Sequence, residues 1–80
     1  KLKDLESLSL ANNSLKAIPD KTVKLKDLSL LNLANNKIEK LPEDLDKMQS
    51  LKTLVLSGNP IQLIEKKRIK AALPNTDIRF

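Results

Sequence analysis

Residues 28–36 read Leu-Ser-Leu-Leu-Asn-Leu-Ala-Asn-Asn, and this stretch decides the fold because it recurs on both sides of itself at one spacing. Twenty-three residues earlier stands Leu5–Asn13, and twenty-three later stands Leu51–Asn59. All three follow Leu-x-x-Leu-x-Leu-x-x-Asn. A fixed period in this range marks stacked supersecondary units, none of which can bury its apolar side alone. Inside each copy the pairs Leu8/Leu10, Leu31/Leu33 and Leu54/Leu56 alternate with period two, the pattern of a half-buried strand. After the Asn, the apolar spacing lengthens to three and four, which fits turns and short helical segments. One strand per unit, followed by a crossover far longer than a hairpin loop, requires parallel neighbours.

The period divides the chain into a first unit at 5–27, a second at 28–50 and a partial third at 51–64, followed by a closing segment at 60–80. Leu2 shares its phase with Leu25 and Met48, so residues 1–4 read as the end of a preceding unit and the chain as a fragment that opens mid-repeat. Asn13, Asn36 and Asn59 also share one phase. A parallel stack turns a corner after each strand, where backbone groups lose their pairing partners. An Asn side chain supplies one acceptor and two donors for such groups, so the three amides are expected to point inward as a ladder. Pro19 and Pro42 fix φ after Ile18 and Leu41 and suit the start of a short convex turn, such as Glu43–Met48. Thr22 stands where Leu45 stands one unit later. The Thr22–Leu25 segment is therefore expected to pack through Val23, with a local shift and less regular structure.

Paired strands lie about 4.8 Å apart, whereas packed helices need roughly 8–10 Å. Stacked units must splay on the helical side, which puts the sheet on the concave side of an arc. The motif, extended to Leu-x-x-Leu-x-Leu-x-x-Asn-x-Leu/Ile-x-x-Ile/Leu and present three times in phase over residues 2 to 64, resembles that of the leucine-rich repeat family. The resemblance implies an α/β leucine-rich-repeat solenoid, right-handed and curved, with a parallel sheet on the concave face and short helices or turns on the convex face. The Pro that ends the motif in the first two units is Glu65 in the third. There the chain resembles the C-terminal caps of bacterial-type members. Leu63–Leu73 reads as a charged helix stopped by Pro74, with Ile64, Ile69, Ala72 and Leu73 inward and Glu65, Lys66, Lys67 and Lys70 solvated. Arg68 is expected to lay its stem on the core and send its head to water or Glu65. Ile78 and Phe80 alternate, so Asp77–Phe80 is expected to add a short last strand.

Composition narrows function. The chain has 80 residues, no cysteine and no histidine, which removes disulfides, thiolate metal sites and the usual acid–base side chain near neutral pH. Fifteen basic against ten acidic residues leave +5, but the charges are dispersed and give little focused field. Phe80 is the only aromatic residue, so no stacking platform for nucleic acid exists. No apolar run reaches the ~20 residues of a membrane span, and no signal peptide opens the sequence. The compartment stays open between cell surface or secreted and cytoplasmic. Ser and Thr hydroxyls have no His base and Gly58 is the only glycine, so neither an independent active site nor a cofactor is expected.

The resemblance implies that recognition uses the concave face, built from residues between the strand leucines: Ser7, Ser9, Leu30, Asn32, Ala34, Thr53, Val55 and Ser57, with Ala11, Asn12, Asn35 and Gly58 at its margin. This face is small, uncharged and flat, with Leu30 and Val55 as its sizeable apolar groups. An apolar centre with a polar rim fits a protein contact, so the expected function is non-catalytic protein–protein interaction. Two alternatives remain. The segment could be a structural C-terminal cap or spacer of a larger receptor, adhesin or enzyme. It could also make an anion or membrane-surface contact through Lys66, Lys67, Arg68, Lys70 and Arg79, which otherwise read as a solvated helix face. Glu43, Asp44 and Asp46 read as acids of a turn or helix start, not as convergent metal ligands. Asn12-Asn13-Ser14 matches a glycosylation acceptor but would crowd the sheet edge. The Leu5–Leu10 edge, with unpaired strand groups, predicts self-association.

Overall fold

The computed structural model describes residues 6–80. Leu2 and Leu5, and the part of the open-edge expectation resting on them, lie outside these residues. Four three-residue strands, β1 (Ser7–Ser9), β2 (Leu30–Asn32), β3 (Thr53–Val55) and β4 (Asp77–Arg79), form one sheet in chain order. All neighbours are parallel. The register follows the sequence period: Leu8 faces Leu31, Leu31 faces Leu54, and Leu54 faces Ile78. Keeping identical phases side by side puts every consensus leucine on one side of the sheet, as period-two alternation requires.

That inner side carries the core. Leu28, Leu31, Leu33, Ile38, Leu45, Leu54, Leu56 and Ile69 are completely or almost completely buried, and Leu8, Leu10, Leu25, Ile78 and Phe80 pack against them. The crossovers run through short 3-10 helices at Asp20–Lys24, directly after extended Pro19, and at Leu45–Lys47, whose Leu45 N–H donates to Pro42 O. Val23 enters the core as expected, but Thr22 is buried beside it. The expected loss of regularity does not occur: this 3-10 helix has five residues and its counterpart three. A threonine in Leu45's position is small enough to be buried with its neighbour.

The third crossover is an α-helix, α1 (Leu63–Ala72), whose last turn closes with the Leu73 N–H on the Ile69 carbonyl before Pro74. Its inner side corrects the sequence reading. Ile64 is 78% exposed, not inward, and Glu65 is buried, not solvated. The repeat phase that buries Ile18 and Leu41 stops applying once the chain becomes helical. From there the 3.6-residue period, counted from buried Ile69, sets 65, 69, 72 and 73 on the inner side.

Candidate recognition surface

The residues between the strand leucines form two rows across the open side of the sheet. One row is Ser7, Leu30, Thr53 and Asp77, and the other is Ser9, Asn32, Val55 and Arg79. Ser7 and Ser9 are exposed, Leu30 is 37% exposed, and Asn32, Ala34, Thr53, Val55 and Ser57 are half-buried. Six of the eight predicted face residues lie in these two rows, and Ala34 and Ser57 follow two residues after Asn32 and Val55. The Asn32 side chain is held by one bond, its Oδ1 accepting from the Ala34 N–H at 3.1 Å.

Two residues of this face escaped the sequence reading. Asp77 and Arg79 end the two rows and pair with each other at 3.3 Å. Arg79 therefore belongs to the sheet and not to the basic helix group. The inward assignment of Ile78 already implied this, since alternation sends both its neighbours outward.

The corners after the strands are held by amides. Asn36 donates Nδ2 to Leu33 O of its own unit at 2.9 Å and to Leu10 O of the preceding unit at 3.0 Å, while its Oδ1 accepts from the Leu15 N–H at 3.2 Å. Asn59 repeats this one period later, with Nδ2 on Leu56 O and Leu33 O and Oδ1 on the Ile38 N–H. The amides thus bond to backbone and not to one another. Asn13 makes the own-unit part of this pattern, its amide donating to Leu10 O and Ala11 O as that of Asn36 does to Leu33 O and Ala34 O, and it is exposed.

A direct amide–amide contact occurs in the adjacent phase, where Asn35 Nδ2 donates to Asn12 Oδ1 at 2.9 Å. Asn12 and Asn35 both have φ of 60°, and Gly58 in the same phase has φ of 78°. This left-handed backbone is tolerated by Asn and preferred by Gly. A methyl group on Gly58 would also run into Asn35 Oδ1. Hydroxyls add further bonds across one turn of the stack: Ser50 Oγ donates to Leu28 O at 2.7 Å and Thr76 Oγ1 to Leu51 O at 2.8 Å.

On the convex side, Glu65 and Arg68 grip one peptide residue of the preceding unit. The Leu41 N–H donates to Glu65 Oε2 at 3.0 Å, and Arg68 Nη2 donates to Leu41 O at 2.8 Å. Arg68 also donates twice to Glu65, at 2.9 and 2.7 Å, so its head does reach that carboxylate. The Arg68 hydrogen bonds hold the Glu65 carboxyl below its ordinary range against the upward push of burial, and the Leu41 N–H adds to the lowering. Glu65 in turn raises the Arg68 guanidinium.

The basic group is largely engaged within the fold. Lys66 Nζ and Lys70 Nζ sit over the Phe80 ring, 5.3 and 5.9 Å from its centre, while Arg68 binds Glu65 and Arg79 binds Asp77. Of the acids on the second crossover, Asp44 pairs with Lys47 at 3.7 Å. No helix among the described residues is long and apolar enough to cross a membrane.

Parallel strands at one fixed period, asparagine-held corners and an open sheet face define a repeat solenoid. The chain belongs to the leucine-rich repeat family, whose model, described as leucine rich repeat, matches residues 3–61. A leucine-rich-repeat protein of Leptospira interrogans is similar in structure, with a TM-score of 0.96 and 44% sequence identity. That match covers 99% of this chain but 20% of the Leptospira chain, so the sequence spans one-fifth of that protein's length. No curated protein matches the chain. Repeats of this family serve in general as protein-interaction modules and are typically non-catalytic.

Proposed function

We propose that the chain is a non-catalytic protein-recognition module whose contact surface is the open sheet face, centred on Leu30, Asn32 and Val55 and bounded by Ser7, Ser9, Ala34, Thr53 and Ser57. The observation that carries this reading is Leu30, a large apolar side chain 37% exposed on the sheet face with half-buried Val55 on the adjacent strand. A small apolar centre inside a hydroxyl- and amide-rich rim has the composition of a protein contact. A Leu30→Asp/Val55→Asp double variant, used as bait in a pull-down beside the parent chain, should lose its partner. Recovery of the same partner in equal amount would refute the reading.

A second reading, that residues 60–80 form a C-terminal structural cap beyond units at 5–27, 28–50 and 51–64, has its own support. The clamp on Leu41 and the strand β4 complete the last corner with side-chain groups that the repeat does not use. Deleting 63–80 should then expose the core around Leu54 and Leu56 and cause aggregation. A soluble, folded truncation would reject it.

A further inference from the structure

We propose that the convex groove running from Asp20 past Glu43 to Pro74 is a second contact surface, which takes a segment of a partner protein carrying two cationic side chains, Lys or Arg. Two open depressions form it, of about 500 and about 740 Å³, and Glu43 lines both. Asp20 and Asp44 line the first with it, and Asp46 lines the second. Acids at a turn or helix start call for no ligand by themselves. What sets this groove apart is the exclusion of lysine. Basic residues outnumber acids fifteen to ten in the chain, yet no described lysine lines either depression.

The one cation in the groove does not answer these acids. Arg68 donates to Glu65 at 2.9 and 2.7 Å and to Leu41 O at 2.8 Å, so its charge is matched by a carboxylate that lines neither depression. Asp20, Glu43 and Asp46 are exposed. None of them enters the ion pairs found among the described residues, which are Lys47–Asp44, Arg68–Glu65 and Arg79–Asp77. Three carboxylates are thus left for a cation from outside. No three acids among the described residues converge to hold a metal ion, so the match is a cation on a long stem that meets carboxylates singly. Each depression offers such a stem an apolar lining, Pro42 in the first and Ala71, Ala72 and Pro74 in the second. Because Glu43 stands between the two, one cationic side chain fits on either side of it. A second copy in two-fold contact would set acid against acid, since that symmetry apposes a patch with itself. An anionic membrane surface is repelled by the same charges.

The test is selection of binders from a random peptide display library against the full chain at low salt, followed by affinity measurement with single synthetic peptides. Enrichment of peptides with two Lys or Arg residues is expected. Their affinity should fall about tenfold or more in Glu43→Gln/Asp46→Asn and several-fold in Asp20→Asn, and it should weaken as salt rises. These variants change exposed residues, and far-ultraviolet circular dichroism verifies their fold. Asp27→Asn/Glu39→Gln removes the same charge outside the groove and should leave the peptides bound. Leu30→Ser/Val55→Ser should do the same, which separates this surface from the sheet face. The proposal is overturned if no binders emerge, if they lack basic residues, or if the two acid double variants lose affinity equally, which would reduce the effect to net charge. It is also overturned if spermine binds as tightly as the peptides, or if Glu43→Gln/Asp46→Asn abolishes a dimer, either of which would name a different occupant.

Discussion

The corner after β2 and the corner after β3 share one asparagine device and then part. Asn36 and Asn59 make the same bonds to strand carbonyls and to the N–H two residues past the preceding asparagine. In the first corner the Lys37 N–H continues the stack by donating to Leu15 O at 2.8 Å. In the second, the residue one period on is Pro60, which has no N–H to give. The stack is resumed further along by Glu65 and Arg68, which take the N–H and the C=O of Leu41. Repetition is thus carried by backbone where units are alike and by charged side chains where the chain turns into a helix. The second solution costs desolvation of an ion pair and makes that corner sensitive to pH, which the first is not.

Substitutions at each corner should separate these two modes of joining. Asn36→Ala should have the largest effect, about 3 kcal/mol, because Leu10 O, Leu33 O and the Leu15 N–H all lose a partner. Asn35→Ala should cost about 1–2 kcal/mol, from placing Ala at φ of 60°. Denaturant unfolding of both variants decides the order, and equal losses would undercut the inward role of Asn36. Glu65→Ala should cost about 2 kcal/mol, less than a fully buried pair because the Arg68 side chain is 36% exposed. Gly58→Ala should cost about 1–2 kcal/mol through its φ of 78° and the clash with Asn35. The clash component should shrink in the Asn35→Gly background, which removes the Oδ1 and Cγ contacts and leaves the Cα one, as a double-mutant cycle would read. Lys66→Gln and Lys70→Gln should each cost about 0.5 kcal/mol or less.

Acid should act on the second corner first. The folded-state value of Glu65 lies below its ordinary 4.5, so below pH 4.5 the unfolded chain takes up its proton before the folded one does. The stabilisation from Glu65 is complete above that pH and is lost as pH falls through the lower, folded value. Unfolding free energy measured across this window should fall more steeply for the parent chain than for Glu65→Gln.

The strands, their parallel order and the outward residues were legible in the sequence because one period governs all of them. The last strand was legible too, since Ile78 continues the alternation. What was not legible begins where that period gives way to another. Extending the repeat phase into Leu63–Leu73 assigned Ile64 to the core and Glu65 to water, the reverse of what the helical period dictates. The reach of Arg68 to Glu65 was one of the two expected placements of its head, but nothing local announces that Leu41, twenty-four residues before Glu65, has both its polar groups bound by the pair. Asn13 shares its phase with Asn36 and Asn59 and makes the same own-unit bonds, while the burial of Asn36 comes with its bonds to the preceding unit.

The most direct test of the two-mode account is amide hydrogen exchange at Leu41, Ile38 and Leu15 in the parent chain and in Glu65→Gln, at a pH where Glu65 is ionised. Leu41 should be protected in the parent and lose protection by at least tenfold in the variant, while Ile38 and Leu15, bound to asparagine amides, keep theirs. Unchanged exchange at Leu41, or equal loss at all three positions, would contradict it.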